Sequence, residues 1–559
     1  MRIKNKLFLS LFALPVIASF AVSSCWWKDN YPNDNDKNIK VKQFSLHSKT
    51  NDYSITDNQL INTYYLDDKM MPYVSLSEII KKLNGYFKLI IPYGNYREGI
   101  VTIKSSGSGY VKFNHIANTI EFSSSNVFWN LLKKNNNYDF NQFIDYEHFK
   151  VNDTKYKPKT LNLNEYNFDL LFYKRNLLLP LSIMNFLFFS HNYYNLYFNG
   201  DKYLFVKDMM EDDSNPDKIS SYRDTIQTQE FRWDNYNFLN LVLDNFYGLK
   251  SYKKITKFNS YIDPETKKNI LSPIASENTK GYATLLHKNL DELHTSMLMS
   301  SFFMKKNDEL SNYGEYLSSA FRQKYQQNML FLRRKFEQKM VEGKLKPNWY
   351  NVFGDTAVIT FNNFKTGSKA QIESLNPHLY DTYFLFRRVM EQIKTIPEIK
   401  KIIVDISLNG GGSVAAMYKS LGFISDKQIK SFEEDQTINI VKETGVVVDT
   451  DGDGKYPNDA YSQYKWYTLT SINSFSAANS FTSIFKDSKF GKVIGQKTGG
   501  GACSILPVVL PDGTTFVISN AENTEINHKY EIIEAGIDPD VKIELNDYYE
   551  YEKIIPLLK

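Results

Sequence analysis

A serine at a strand-to-helix junction, Ser476 in the run SINSFSAANSFTSIF, stands one strand ahead of a glycine-rich turn, GQKTGGGACS. The segment Lys465-Trp466-Tyr467-Thr468-Leu469-Thr470 is rich in β-branched and aromatic residues and reads as a strand. Ala477, Ala478, Phe481, Ile484 and Phe485 then recur at helical spacing. Ser476 therefore opens a helix, where free backbone N–H groups and the positive end of the helix dipole stabilise an oxyanion forming on a substrate carbonyl. The chemistry this permits is nucleophilic attack by the serine hydroxyl. The same position also suits a simple N-cap, for which serine is a favoured residue. This segment alone leaves both readings open.

Two other segments carry oxygen- or nitrogen-rich turns. The strand Lys401-Ile402-Ile403-Val404-Asp405-Ile406-Ser407 runs into Leu408-Asn409-Gly410-Gly411-Gly412. Three glycines between a buried strand and a helix permit a turn that no side chain could follow, and they leave N–H groups facing the crevice. A phosphate loop would need a Lys-Ser/Thr pair, which is missing. Asp449-Thr450-Asp451-Gly452-Asp453-Gly454 repeats the first half of a calcium loop, with Asp449, Asp451 and Asp453 as candidate ligands. Its twelfth position is Ala460 rather than glutamate, with Asp459 as a possible substitute. Asp-Gly clusters also make ordinary turns, and no metal or other cofactor is expected.

These turns need strands and helices to hold them. From Asp355 onward DTAVITFNNF, DTYFLFRRVMEQI, KKIIVDIS, VAAMYKSLGFI, WYTLTS, AANSFTSIF and KVIGQ alternate strand with helix. A mainly parallel or mixed sheet covered by helices follows, with active residues at the carboxyl ends of strands. The length of 559 residues exceeds one compact domain. The expected division is a leader at 1–24, a tether at 25–42, an N-terminal α+β accessory region at 43–225, a helical segment at 226–350 and an α/β core at 351–559. Within the accessory region TYYLDDKMMPYVSLSEIIKKLNG and LLFYKRNLLLPLSIMNFLFF resemble each other, each with a proline and a serine before an apolar helix. Helical periodicity marks WDNYNFLNLVLDNFYGL, YATLLHKNLDELHTSML and the charged stretch from Asn307 to about Lys344.

The first 25 residues have a basic start, an apolar stretch from Leu7 to Val22 and small residues before Cys25. They resemble a bacterial lipoprotein signal, which implies cleavage before Cys25, lipid on that cysteine and a chain anchored to the membrane on its outer side. The alternative is an uncleaved membrane anchor, with the bulk of the chain again outside the cytoplasm. Cleavage would remove Arg2, Lys4 and Lys6 and take the formal charge from +4 to +1. A near-neutral chain argues against nucleic acid as a partner. Cys25 and Cys503 are the two cysteines, so a lipid on Cys25 leaves no internal disulfide and no thiolate metal site.

VDISLNGGG, SFSAANSF, GQKTGGG and AGIDPDV occur in an order and spacing that resembles the tail-specific, or C-terminal-processing, serine peptidase family, across about 228 to 545. The resemblance implies a crotonase-like ββα peptidase core behind a helical lead-in, and a peptide or protein substrate. It implies Ser476 as nucleophile, with an oxyanion hole made by the N–H of Ala477 and that of Gly411 or Gly412. Many members place a lysine where this chain has Gly501; Lys497 lies before the turn and does not align. A hydroxyl without a base is a poor nucleophile. The tricorn-like branch of the family, to which LDELHTS is similar, implies His294 as the base, as suits an imidazole. His294 could instead be a helix-face histidine packed among Leu286, Leu290, Leu293 and Met297, and His287 is the fallback. Glu534, or else Glu531, would orient the imidazole, although either could be a surface carboxylate. No peptide-binding PDZ module is expected between the lead-in and the core. The other reading of the chain is an inactive peptidase fold that binds peptides or ligands, as the retinal retinoid-binding relative does.

Overall fold

The alternating strand and helix text after residue 350 supplies a six-stranded sheet in the order Tyr350–Phe353, Thr356–Thr360, Lys401–Asp405, Lys465–Thr470, Gly491–Gly495, Val541–Lys542. The first two strands form an antiparallel hairpin, and every later neighbour is parallel. The computed structural model describes residues 37–558 apart from 91, 106–108, 136, 154, 208–226, 304–317, 347–348 and 457–460.

The central strands read as continuous apolar runs because both faces are covered. Ile402 and Val404 join a core with the helices Thr382–Ile393, Val414–Gly422 and Ala477–Asp487. Ile403, Tyr467 and Leu469 point the other way, into a core with Leu332 of the helix Ala320–Val341 and with Tyr551 and Ile554 near the C-terminus. The alternation of strand side chains thus clamps the sheet between two helical layers.

A second six-stranded sheet, antiparallel throughout, draws on distant parts of the chain. It runs Ser296–Met299, Thr515–Ile526, Ile429–Asp435, Ile440–Val448, Ile144–Asn152, with Cys503–Val509 also paired to Thr515–Ile526. Ile144–Asn152 comes from the accessory region, so that region is stitched into the body of the molecule by a full strand. One apolar core is likewise shared by Leu46, Tyr203, Tyr236, Leu286, Leu506 and Phe516.

The two similar passages of the accessory region lie side by side. Tyr73–Ser75 and Asn176–Pro180 pair antiparallel through Val74 and Leu179, and each leads into a helix, Leu76–Lys82 and Leu181–Phe188. They sit inside a seven-stranded sheet that begins with the strand Ile39–Ser48 in sequence, so ordered structure starts within the stretch expected to be a tether. The leader and Cys25 lie outside the described residues. No helix among the described residues is long and apolar enough to cross a membrane.

The helical segment departs from its periodicity at one place that matters. Helices Gln229–Phe246, Pro264–Ile270 and Ala275–Ala283 are followed by a π-helical turn, Thr284–Asn289. The chain then breaks at Asp291, in left-handed backbone (φ 43°), and Ser296–Met299 becomes an edge strand on Val517–Thr515. His294 therefore sits in a tight turn and shares no helix face with His287. Edge pairing with a long buried strand outweighs the helical pattern here, because tertiary contacts override weak local propensity.

Candidate active site

Ser476 is sewn between the two glycine turns. The loop after Lys465–Thr470 is built by Ser474, whose hydroxyl accepts from the N–H of Ser471 (3.0 Å) and donates to the carbonyl of Ile406 (2.7 Å). The N–H of Phe475 then donates to Asn409 (3.1 Å), and the N–H of Ser476 to Gly500 (2.9 Å). This forces Ser476 to φ 56°, ψ −125°, a conformation rare for a residue with a Cβ. Ser476 stands at the N-cap position of Ala477–Asp487, yet its side chain makes no capping hydrogen bond. A half-buried serine hydroxyl at a helix start, in strained backbone and not used as a cap, is left available for chemistry.

The first glycine turn lies directly against it. A Cβ on Gly411 would come within 2.7 Å of the Ser476 Cβ and 3.0 Å of the Ala477 nitrogen, and the backbone there has φ +106°. The Gly411 N–H donates to the side-chain carbonyl of Asn409 (2.9 Å). The N–H groups of Gly412 and Ala477 donate to no acceptor among the described residues. Of the two glycines expected to face an oxyanion, Gly412 is thus the one with a free donor beside that of Ala477.

The second turn explains why no lysine stands at Gly501. A Cβ there would be 2.6 Å from the ring of Phe475 and 3.0 Å from the Ser476 nitrogen, with φ +89°. Phe475 fills the room that a side chain at 501 would need. Lys497 turns outward and pairs with Asp538 (3.5 Å), both exposed.

Phe475 also carries the histidine. The His294 ring packs on it with centroids 4.7 Å apart, so the imidazole lies next to the residue that precedes Ser476. His294 is buried, its Nδ1 is unpaired, and burial pushes its pKa down to about 4. No hydrogen bond joins it to Ser476 or to Glu534. Its turn is held from outside: the buried Glu292 carboxylate accepts from the N–H of Thr295 (3.0 Å) and the hydroxyls of Thr295 and Ser519. Arg322 donates to the carbonyls of Glu292 and Thr295 and to the Ser296 hydroxyl. His287 instead accepts from the N–H of Met297 through Nε2 (3.0 Å), which ties its ring to the edge strand. Its pKa is also down at about 4, from burial and then from Arg322.

Glu534 approaches the second glycine turn. Its carboxylate accepts from the N–H of Ala502 (2.8 Å) and interacts with the backbone of Gly501; burial and then nearby Glu292 raise its pKa to about 7. Glu531 is exposed and bonds Asn527. The Gly536-Ile537 element is pinned to the serine helix through Thr498, whose hydroxyl accepts from Ile537 and donates to Asn479 (both 2.6 Å).

Two contributors to the site have no distinguishing mark in the sequence, since Arg322 and Tyr325 lie in a charged helix of ordinary composition; Glu292 stands inside LDELHTS as one of two adjacent acids. Tyr325 leans edge-on toward Phe475 (6.1 Å), and its hydroxyl is 3.5 Å from where a Cβ on Gly410 would stand. Elsewhere, carboxylate oxygens of Asp449, Asp451 and Asp453 lie within 4.8 Å of one another. They are occupied by the N–H groups of Gly452, Gly454, Asp453 and Lys455 and by the Lys455 ammonium, as in a self-capped turn. Asp459 and Ala460 lie outside the described residues.

Residues 355–543 match the family model described as Peptidase family S41. The chain carries a peptidase family S41 domain. The S41 domain holds Ser476, both glycine turns and Glu534, whereas His294, Arg322 and Tyr325 precede it in sequence. No curated protein matches the chain. Among solved structures, a candidate peptidase from Parabacteroides merdae is 19% identical, over 58% of this chain and 96% of its own, with a TM-score of 0.40. Mature CPAF is 11% identical over 59% and 96%, with a TM-score of 0.38. A lipoprotein from Streptococcus agalactiae is 14% identical over 58% and 96%, with a TM-score of 0.36.

Proposed function

We propose that the protein is a serine peptidase that cleaves peptide bonds through Ser476, with His294 as general base, on a crotonase-like core of the tricorn-like kind. The observation that carries this reading is the unused hydroxyl of Ser476 at a helix start, next to the unpaired N–H of Ala477 and packed on Gly411, whose neighbour Gly412 also has an unpaired N–H. In the reaction Ser476 Oγ attacks the substrate carbonyl carbon and its proton passes to His294. The carbonyl oxygen takes the negative charge and is held by the two N–H groups. Collapse breaks the C–N bond, His294 returns the proton to the leaving amine, and water releases the acyl group by the same steps in reverse. His294 must move over Phe475 into hydrogen-bond reach for the first step, a tightening that substrate brings to many resting sites. Glu534 supports the site from the far side of the second glycine turn.

A fluorophosphonate probe tests this reading. Wild type is expected to label on Ser476, with labelling lost in Ser476→Ala at an unchanged unfolding midpoint and lowered by about 10⁴ or more in rate in His294→Ala. A folded wild type that does not label would make the chain a peptide-binding relative without turnover.

Anchoring at Cys25 belongs to the same proposal and places the enzyme on the outer side of a cell membrane, facing peptide substrates there. Metabolic incorporation of an alkyne fatty acid, lost in Cys25→Ser together with membrane fractionation, is the expected result. Equal incorporation into that variant would remove the anchor from the reading.

A further inference from the structure

On the far side of the first glycine turn the structure opens a cavity of about 540 Å³, between the helix Ala320–Val341 and the carboxyl ends of the strands Thr356–Thr360 and Lys401–Asp405. It shares a wall with the site: Leu408 lies two residues before Gly410, and Asn363 Oδ1 is 2.3 Å from where a Cβ on Gly412 would stand. Its apolar lining comes from Phe336, Met340, Trp349, Phe361 and Tyr549.

The polar groups around it are one-sided. Lys346 and Lys365 reach the cavity, and among the described residues neither ammonium has an acidic partner. Arg388 faces Nδ1 of the buried His378 (3.4 Å), which leaves Nε2 as that ring's donor. Asp381, the one acid among the described lining residues, accepts from the N–H groups of Gly367 (3.0 Å) and Tyr383 (2.8 Å). Among the described lining residues two ammonium groups thus stand against one carboxylate whose oxygens are already engaged, so the lining is rich in donors and keeps a net positive charge.

We infer that this cavity is a specificity subsite, which takes an apolar portion of a peptide against Trp349 and Phe361 and reads a carboxylate through Lys346 and Lys365. The inference rests on the peptidase reading for its substrate class. The carboxylate has two sources, an acidic side chain or the peptide's own C-terminus.

Binding to the full chain carrying Ser476→Ala separates this from catalysis. Octapeptide pairs that differ by Glu or Gln at each position in turn, each made as free acid and C-terminal amide, are followed by fluorescence anisotropy. The expected result is a preference of about tenfold for the carboxylate at one place, reduced about fivefold by Lys346→Gln or Lys365→Gln and restored by arginine. Peptides with neutral residues bind these variants as before. Loss of the preference in the amide series assigns the terminal carboxylate, and its persistence there assigns the side chain. Equal affinity for Glu, Gln, acid and amide forms overturns the subsite, as does absence of binding by every acidic peptide up to millimolar concentration. Either failure leaves the peptidase reading to the fluorophosphonate result on wild type.

Discussion

Two glycine turns flank Ser476, nearly identical in sequence and opposite in what they leave open. At Gly410-Gly411-Gly412 only Gly411 is satisfied from within the turn, by Asn409, and the Gly412 amide stays without an acceptor among the described residues. At Gly499-Gly500-Gly501 the Glu534 carboxylate closes on the Ala502 amide and the backbone of Gly501, and the Glu534 carbonyl fills the space above Gly500. Glycine permits both shapes, but the side chain opposite decides whether the donors serve a substrate or the fold. The first turn keeps a donor open, as the receptor for an oxyanion proposed above requires, and the second is closed as a clamp.

The largest effect should come from closing the receptor. Gly411→Ala places a methyl 2.7 Å from the Ser476 Cβ and demands φ +106° of an alanine. Fluorophosphonate labelling is expected to fall by about 10³ or more as the serine and its oxyanion donors separate, comparable to losing an oxyanion donor. Far-ultraviolet circular dichroism should remain native, since the change is local. Labelling within tenfold of wild type would mean that the turn is not part of the reacting centre.

Breaking the clamp should cost less and show itself through pH. Glu534→Gln keeps one carbonyl acceptor for the Gly501 and Ala502 amides, as the protonated acid does, so the two proteins should agree within about 1 kcal/mol in acid solution. Burial raises Glu534 to about 7 in the folded chain against an ordinary 4.5, so the folded state binds more protons between those values. Wild type therefore loses stability on this account as pH rises from 4.5 to 7. His294 and His287 act with the opposite sign: both sit at about 4 when folded against 6.5, so their contribution is lost as pH falls from 6.5 to 4. The variant should gain on wild type in thermal midpoint as pH rises from 4.5 to 7. Parallel midpoints across that window would show that Glu534 does not titrate there. In the same experiments the His294 base should keep labelling alive down to about pH 5, below the usual histidine limit.

The receptor was legible in sequence for a physical reason. A buried strand that ends in three glycines, and a serine between a β-branched run and an apolar-periodic helix, are local patterns, and Lys465–Thr470 and Ala477–Asp487 fold as their spacing predicts. The histidine turn was legible only in part. Its residue types stand together in LDELHTS, but the turn exists because Ser296–Met299 pairs with a strand more than two hundred residues away and because Arg322 reaches across from another helix. Periodicity carries no trace of either contact, so the segment reads as helix. The accessory region shows the same limit: its repeat was visible, but the strand Ile144–Asn152 that joins it to the second sheet is set by pairing with Ile440–Val448.

The smallest expected effect bears on the clamp's lysine. A serine in this setting could draw on an ammonium rather than an imidazole, and Lys497, just before the second turn, is the one within a few residues. Its side chain faces away, in an exposed pair with Asp538. Such pairs contribute about 0–1 kcal/mol, so Lys497→Gln should leave the unfolding midpoint nearly unchanged and the labelling rate within twofold of wild type. A variant that folds normally and fails to label would require Lys497 to swing inward past Gly501, into space that Phe475 now fills. That outcome would make the second turn part of the catalytic machinery and end the division of labour between the two. Intact labelling in Lys497→Gln beside lost labelling in His294→Ala would leave the base on the buried histidine turn, which precedes the S41 domain in sequence and is held to it through Ser519 and the strand Thr515–Ile526.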